Sequence, residues 1–279
     1  MTIELRVATQ NIPAAKGQAG DLSRAKTQAV ARGVDAEADI AGFQELSEVE
    51  DHLDLAIALP QKDWYLRHPD SENEVAARRS KLRILKEGDP RLSGVNPSAQ
   101  VHLSDGKLHV SPERNAVWDV WEFVEDPTLT VTALLDFHLI SGVYPGNDNL
   151  AWRTEQQQHA MEQLVRWVAY LVNRGINVLW VADTNWHTGG MPKLHPNQQW
   201  LVDDSIDKIA FVPCATSNYE LTLASVESHK NDSDHMLRVA NLQITPVVKS
   251  LEQQVEDWIA HVPMSAVQAN ALRAIVKGR

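Results

Sequence analysis

Five consecutive apolar residues, Val178 to Ala182, form a central hydrophobic stretch that ends abruptly at Asp183. A short apolar run between Gly175 and polar residues is typical of a strand buried on both faces of a sheet. Residues that directly follow such a strand lie at the edge of the sheet, where ligands usually bind. Because side chains two apart in an extended chain point the same way, Asp183 and Asn185 can reach one metal ion or phosphate. A strand-ending turn is the simpler interpretation, since Asp and Asn favour turns.

A similar order of strand, helix and strand occurs near the N-terminus. Apolar and polar residues alternate from Ile3 to Val7, which predicts a strand that ends near Asn11. Apolar residues then recur at helical spacing between Ser23 and about Ala38, and Ser23 is a residue suited to cap this helix. A second short apolar strand then ends at Glu45. This order is typical of an α/β layer, so we expect Asn11 and Glu45 to lie at the same edge as Asp183.

The rest of the chain continues this alternation and then departs from it. The patterns predict four further strands and one long helix, at residues 116–124, 129–140, 205–212, 236–244 and 152–174. Gly175 is placed to end the helix. Beyond the predicted domain of residues 1–248, residues 249–279 form two amphipathic helices that Pro263 separates. We expect this C-terminal extension to pack against the domain, or to make a dimer or partner contact.

The composition is that of an ordinary globular protein, with 43% hydrophobic and 23% charged residues among 279. No apolar run approaches the roughly 18 residues needed to cross a membrane. The first residues follow a strand pattern, which argues against a signal peptide. The single cysteine, Cys214, excludes a disulfide within the chain and fits a reducing compartment. We therefore predict a cytoplasmic protein with no membrane partner.

The formal net charge of −11 argues against a broad basic surface that grips nucleic acid through many phosphates. It does not exclude a small phosphate site that a metal ion bridges. Residues 68–76 are polar and turn-rich, which predicts a surface loop. Arg78, Arg79, Lys81 and Arg83 follow this loop. Such a run is usually a solvated face, but in so acidic a chain it is the best local candidate for holding a polyanion.

Polar residues with characteristic spacing accompany the predicted strands. In chain order they are Asn11, Gln44-Glu45, Glu113-Arg114, His138-Leu139, Asp183-x-Asn185, Ile206-Asp207-x-Ile209 and Ser233-Asp234-His235. This series resembles the endonuclease/exonuclease/phosphatase superfamily over about residues 3–245. Ser-Asp-His before a strand is its most specific part. Ala182 and Thr184 replace the usual Gly and Phe, and Phe137 stands where Thr is frequent, but neither change removes a predicted ligand.

The resemblance implies the α/β class, as a four-layer sandwich of two mixed β-sheets flanked by helices. It also implies a Mg²⁺-dependent phosphodiester hydrolase, with Mn²⁺ as an alternative metal and a nuclease acting on DNA or RNA as the first expectation. Mg²⁺ prefers carboxylate, amide and water oxygens. Glu45 is the first expected ligand, Asn11 supports it, and Asp234 contributes to the same site or to a second one.

The resemblance also assigns roles in catalysis. Asp183 is expected to orient or deprotonate the attacking water, and Asn185 to hold a phosphate oxygen. His235, steadied by Asp207, is expected to bind the phosphate and to stabilise the charge that develops in the transition state.

The deoxyribonuclease branch of the family implies a second acid–base pair, Glu113 with His138, which would protonate the leaving group. Which pair activates water is left open. Arg78, Arg79 and Lys81 are the expected contacts to the polyanion.

Two other functions stay open. A small-molecule or lipid-headgroup phosphatase of the same fold would share the catalytic residues and differ only in its loops, and the acidic composition favours it. A non-catalytic binding module would require a broken metal or histidine site, whereas every expected polar position is present.

Overall fold

The computed structural model describes residues 2–12, 21–46, 49–66, 71–88, 91–93, 101–102, 108–109, 114–140, 151–186, 191–231, 233, 235–247, 250–261 and 264–277. The strands are β1 Ile3–Asn11, β2 Ile40–Gln44, β3 Trp64–Tyr65, β4 Glu74–Arg78, β5 Leu82–Gly88, β6 Arg91–Ser93, β7 Val101–His102, β8 Leu108–His109, β9 Arg114–Phe123, β10 Thr132–His138, β11 Asn177–Asp183, β12 Gln199–Val202, β13 Asp207–Val212, β14 Tyr219–His229 and β15 Leu237–Pro246. The helices are α1 Asp21–Glu37, α2 Val49–Ala58, α3 Ala151–Asn173, α4 Leu251–His261 and α5 Ala266–Lys277.

Two mixed sheets form the centre of the molecule. The first has the strand order β14-β15-β1-β2-β4-β3, and the second has the order β12-β13-β11-β10-β9-β5, with β6 paired to β9. One pair in each sheet is parallel, β1 with β2 and β10 with β11. The register sets Asn11 opposite Gln44 in the first sheet and His138 opposite Asp183 in the second. The parallel pairs therefore bring the polar residues at their carboxyl ends together.

Three apolar clusters hold four layers together. Side chains such as Ile40 and Val181 fill the space between the sheets. Helices α1 and α2 supply the apolar residues that cover Phe43 on the outer face of the first sheet. Helix α3 covers Trp180 on the outer face of the second. Since full burial of one such side chain contributes about 1.5–3 kcal/mol, these clusters stabilise the layers. The predicted α/β sandwich is confirmed.

Most of the predicted elements lie within a few residues of their observed bounds. Helix α1 begins earlier than expected, so that Ser23 lies inside the helix and not at its cap. Gly175 follows α3 with a φ of 76°, the left-handed conformation that glycine adopts without strain. The Gly175 N–H donates to Val172 O at 3.0 Å, which satisfies one of the last carbonyls of the helix.

The two sheets approach each other closely at Gly42 of β2. A Cβ atom at this position would lie 2.2 Å from Val181 Cγ2 and 2.7 Å from Asp136 Cγ. Such distances are far inside van der Waals contact, so the spacing requires glycine. The close approach lets Gln44 of β2 donate from Nε2 to Asp136 Oδ1 of β10 at 2.5 Å.

Asp136 is completely buried between the sheets, and this burial raises the pKa of its carboxyl well above the usual range. In the unfolded chain the same carboxyl ionises near its ordinary pKa of about 3.9. The unfolded state therefore loses this proton at a lower pH than the folded state. The stability that this group contributes falls as the pH rises from the unfolded pKa toward the folded one.

Asp136→Asn keeps the shape of the side chain and cannot ionise. We expect the variant to gain stability relative to the wild type as the pH rises above about 4, by at most about 1.4 kcal/mol per pH unit, the slope set by one proton. Urea unfolding midpoints across this range provide the measurement, and Asp63→Asn, at an exposed carboxylate, is the matched control. A stability difference between Asp136→Asn and the wild type that does not change with pH would contradict the prediction.

The C-terminal extension is a helical hairpin, as predicted, although Pro263 lies outside the described residues. Each helix begins with a capping box: Ser250 with Gln253 in α4, and Ser265 with Gln268 in α5. An Arg273–Glu256 pair joins the two helices through two contacts of 2.7 Å. No helix in the described part of the chain is long and apolar enough to span a membrane.

Candidate active site

The amide of Asn11 links the two sheets at the edge where the parallel strands end. Its Nδ2 donates to Glu45 Oε1 at 3.1 Å and to Asp183 Oδ2 at 2.7 Å. Asn11 is the last residue of β1, Glu45 follows β2, and Asp183 ends β11. Three polar strand ends that are far apart in the sequence therefore meet at one point.

Two residues of this edge, Glu45 and Asn185, have positive φ angles of 65° and 50°. Such a conformation costs on the order of 1–3 kcal/mol for a residue other than glycine, although Asn tolerates it better than Glu. The backbone on both sides of Glu45 is held by hydrogen bonds, from Ile12 N to Gln44 O at 2.9 Å and from Leu46 N to Glu72 O at 3.0 Å. The fold therefore imposes a strained turn at the residue whose carboxylate lies beside Asn11.

Asp183 is the most buried carboxylate of the cluster, at 1% exposure. Burial, followed by the negative charge of Asp207, raises the pKa of Asp183 to about 6, whereas the positive charge of His235 opposes this shift. The Asn185 N–H donates to Asp183 Oδ1 at 2.9 Å, and Oδ2 accepts from Asn11. The carboxylate is thus fixed in orientation and suited to accept a proton near neutral pH.

The side chain of His235 lies between two carboxylates. Its Nδ1 is 3.0 and 3.1 Å from the two oxygens of Asp207, and its Nε2 is 3.9 Å from Asp183 Oδ2. Asp207 reaches this position because β13 pairs with β11 and places Asp207 opposite Asp183. A carboxylate at Nδ1 orients the ring and leaves Nε2 directed toward the cleft.

The second histidine, His138, is buried and has a cation at its Nδ1. Arg114 Nη1 lies 3.2 Å from this nitrogen and also donates to Glu72 Oε2 at 2.6 Å. Because a guanidinium only donates, Nδ1 acts as the acceptor in this contact. Nε2 faces Glu45 Oε1 at 3.8 Å and Asp183 Oδ2 at 3.7 Å. His138 therefore directs Nε2 to the centre of the cluster.

Sequence reasoning singled out Arg114 next to Glu113 but assigned it no role, and it missed Glu72 as a member of this site. It paired His138 with Glu113, which lies outside the described residues, as does the expected ligand Asp234. Arg114 adjoins the motif residue and begins β9, so its position at a strand end was an available signal. Burial raises the pKa of Glu72, while the charge of Arg114 opposes the shift.

Glu72 belongs to the stretch predicted as a surface loop, and that prediction is wrong for residues 71–76. Ser71 and Asn73 are buried, and β4 begins at Glu74. Polar composition suggested exposure, but these side chains find partners inside the protein. The Asn73 amide, for example, donates to Asn115 O at 2.9 Å.

The expectation that the basic run lies beside the cleft is corrected by the strand register. Ala77 pairs with Ile40 at the start of β2, whereas Glu45 follows its end, roughly 16 Å away at about 3.3 Å per residue. The basic side chains also have local partners: Arg78 pairs with Asp35 at 3.3 Å, Arg79 donates to Gln61 O at 2.6 Å, and Lys81 pairs with Glu125 at 3.0 Å. Arg78, Arg79 and Lys81 are therefore not candidates for holding a substrate in this cleft.

Asn185 lies at the site, but its amide nitrogen already has protein contacts. Nδ2 donates to Leu139 O at 2.9 Å and lies 3.1 Å from His138 Nε2. These contacts connect the ends of β10 and β11. In this structure Asn185 positions the neighbouring residues of the cluster.

The edge also offers ligands for a divalent cation. Glu45, His138 and Asp183 each supply an atom within 4.8 Å of the others, as do Asp183, Asp207 and His235. Asn11 Oδ1 is buried beside Glu45 and makes no hydrogen bond within the described residues. An amide oxygen that accepts no hydrogen bond and a neighbouring carboxylate are both hard oxygen ligands, the type that Mg²⁺ prefers. The residues present therefore fit the implied metal.

The structure also contains an apolar groove of about 520 Å³. It lies between α3 and the segment that follows Asn185, and Gln157 on its wall accepts a hydrogen bond from the Ile140 N–H at 3.2 Å. Its described lining residues are Thr154, Gln157, Gln158, Met161, Glu162, Val165, Arg166, Trp186 and Pro192.

Comparison with solved structures identifies the fold. An endonuclease/exonuclease/phosphatase protein from Bacteroides vulgatus is 16% identical, with a TM-score of 0.62 over 86% of this chain and 98% of that one. TDP2 from D. rerio, complexed with a single-strand DNA product, is 13% identical, with a TM-score of 0.56 over 86% and 98%. The mannosyl-6-phosphatase of Bacteroides thetaiotaomicron is 14% identical, with a TM-score of 0.55 over 85% and 99%. No protein-family model and no curated protein sequence matches this chain. The fold is that of the endonuclease/exonuclease/phosphatase proteins, as the sequence predicted.

Proposed function

We propose that this chain, with its endonuclease/exonuclease/phosphatase fold, is a divalent-metal-dependent phosphodiester hydrolase that acts on nucleic acid. The observation that carries the proposal is the joining of Asn11, Glu45 and Asp183 at one edge, with His235 and Asp207 beside them. This cluster contains a carboxylate with a pKa of about 6, an oriented histidine and oxygen ligands for a metal.

Hydrolysis of a phosphodiester requires an activated water, neutralisation of the charge on the phosphoryl oxygens and stabilisation of the leaving alkoxide. Mg²⁺, or Mn²⁺ as the alternative, would be held by Glu45 and Asn11 and would supply Lewis-acid polarisation of a phosphoryl oxygen. Asp234, expected as a further ligand, lies outside the described residues.

Asp183 is the proposed general base. As water attacks phosphorus in line, the new P–O bond forms, the bond to the leaving oxygen breaks, and the proton of the water passes to Asp183. A base with a pKa near the operating pH is partly deprotonated, so it can accept this proton, and it is basic enough to remove it from water. The hydrogen bonds from Asn11 and the Asn185 backbone hold the carboxylate in one orientation for this step.

His235 is proposed to donate from Nε2 to a phosphoryl oxygen, where negative charge increases in the transition state. The contacts of Asp207 with Nδ1 fix the plane of the ring. His138 lies beside the same centre, but its Nδ1 faces the Arg114 guanidinium and its Nε2 lies 3.1 Å from the Asn185 amide nitrogen. His138 is therefore proposed to contribute less than His235.

The apolar groove supports nucleic acid as the substrate. Trp186 lines it and directly follows Asn185 in the chain, and a base of the substrate is proposed to stack on this aromatic side chain. Stacking tolerates any sequence because every base has a π face. The structural similarity to TDP2 bound to a single-strand DNA product agrees with this proposal.

A small-molecule phosphatase is the second candidate, and two observations favour it. The basic run lies at the far end of the first sheet from Glu45, and the net charge of −11 disfavours polyanions. The mannosyl-6-phosphatase of the same fold is a precedent for this type of substrate.

A substrate panel distinguishes the two candidates. Duplex DNA, single-stranded DNA, RNA, an abasic duplex, inositol phosphates and sphingomyelin are each incubated with magnesium, and the His235→Ala protein serves as the blank. We expect turnover of nucleic acid. Turnover confined to inositol phosphates or lipid would reject the nucleic-acid proposal and leave the phosphoesterase intact.

Trp186→Ala is expected to weaken the binding of single-stranded DNA by about 5- to 150-fold, because stacking of one base contributes about 1–3 kcal/mol. Trp186→Phe keeps an aromatic ring and is the matched control. Fluorescence anisotropy with a labelled oligonucleotide, in the His235→Ala background so that cleavage does not interfere, provides the measurement. Equal affinity of the Ala and Phe variants would rule out stacking at Trp186.

A further inference from the structure

A second cluster of metal-ligating side chains lies on the outer face of the first sheet. Glu227 and His229 are two apart on β14, so their side chains point the same way. They pair with Val239 and Leu237 of β15, which pack in the cluster beneath α1. Glu37 is the last residue of α1, and its carboxylate completes a group of three ligand atoms that lie within 4.8 Å of one another.

The geometry of two of these ligands already suits a small cation. His229 Nε2 lies 3.3 Å from Glu227 Oε2. In a tetrahedral zinc site, bonds of about 2.0–2.1 Å separate neighbouring ligand atoms by about 3.3–3.4 Å. The other oxygen of Glu227 accepts a hydrogen bond from Asn241 Nδ2 at 2.7 Å, which orients the carboxylate as outer-shell partners of metal ligands do.

The imidazole provides an independent observation. His229 Nε2 is buried and makes no hydrogen bond within the described part of the chain, even though a carboxylate oxygen lies 3.3 Å away. Buried polar atoms in folded proteins nearly always have a partner. A cation between the two side chains would bind the lone pair of this nitrogen and both neighbouring carboxylates.

We propose that Glu37, Glu227 and His229 form a site for a transition-metal dication, with Zn²⁺ as the expected ion and water as the fourth ligand. The nitrogen ligand distinguishes the site from that at Glu45 and Asn11, because imidazole suits Zn²⁺, whereas Mg²⁺ prefers oxygen alone. The ion has a structural role, since it joins the end of α1 to the end of β14.

The proposed ion also anchors the chain segment that carries His235. Strand β14 leads directly into the segment that carries His235. That segment is attached to β1 through Asn231, whose Nδ2 donates to Gln10 Oε1 at 2.6 Å, and through Ser233, whose hydroxyl donates to Asn11 O at 2.9 Å. The ion fixes the other end of the same segment at His229. The proposal concerns metal binding and stability, and it does not depend on the proposed function.

Zinc binding to the metal-free full-length protein provides the test, by competition with a chromophoric chelator and by thermal unfolding. Because the catalytic cluster also offers zinc ligands, the difference in stoichiometry between proteins is the informative quantity. We expect His229→Ala and Glu37→Gln each to lose one equivalent of zinc. At free zinc about 100-fold above the Kd, each should also lose about 5–10 °C of zinc-dependent thermal stabilisation.

Glu220→Gln, at an exposed carboxylate of the same strand, is the matched control and should bind as much zinc as the wild type. Glu37→Gln tests a ligand on a different element and keeps its shape, so it stays informative if His229→Ala folds poorly. Equal zinc stoichiometry in the wild type and both variants would overturn the proposal. Full binding by Glu37→Gln together with a loss in His229→Ala would also overturn it, because the site would then not include α1.

Discussion

Replacement of His235 with alanine is expected to lower the rate of phosphoester cleavage by about 10²- to 10⁴-fold, the usual contribution of a positioned acid or base. His138→Ala is expected to cost less. Asp207 contacts Nδ1 of His235 and leaves Nε2 directed toward the cleft, whereas His138 is nearly buried and has Arg114 at its Nδ1. The comparison is made in kcat/KM on the best substrate of the panel.

His159→Ala, at an exposed position on α3, controls for the general effect of removing a histidine. Thermal unfolding of each variant separates loss of catalysis from loss of folding. Equal rates for the wild type and His235→Ala would refute the mechanism. A larger loss in His138→Ala would transfer the principal role to the pair of His138 and Arg114.

Activity is also expected to require a divalent metal and to fall by on the order of 10²-fold in Glu45→Gln, because the variant keeps the shape of the ligand and removes its charge. Glu45 is held in a strained backbone conformation beside Asn11, so the exchange should leave the local geometry in place. Magnesium activation curves for the two proteins provide the measurement, and the variant should need a higher metal concentration for half-maximal activity.

Glu50→Gln, on the exposed face of α2, is the matched control for loss of one carboxylate near this edge. Chelator treatment should abolish the wild-type activity, and magnesium should restore it. Activity that survives both the chelator and the Glu45→Gln exchange would show that Glu45 does not hold an essential metal.

The order of elements and the strand ends were predictable because they depend on local patterns. An exposed strand would contain polar residues, and the apolar run before Asp183 contains none. Its burial can therefore be inferred from the sequence. The same applies to the helix that Gly175 terminates. The polar residues after these strands were identifiable as site candidates because ligands usually bind at the edge of a sheet where its strands end.

Strand β14 illustrates where this reasoning fails. Apolar and polar residues alternate only from Tyr219 to Leu223, and the side chains beyond Leu221 are mostly exposed, so the rest of the strand has no apolar alternation to identify it. The strand exists because its backbone pairs with β15. Backbone pairing of this kind depends on the neighbouring strand and leaves little trace in side-chain composition.

The local pattern by itself determined the layers of this protein and the chemistry of the polar residues at the strand ends. Only the tertiary structure decided which of them meet, because register and sheet spacing set distances between residues far apart in the chain. Strand pairing brings Arg114 to His138, and it places the basic run at Arg78 at the opposite end of the sheet. The pKa of Asp183 is likewise a tertiary property, since burial and the charge of Asp207 raise it.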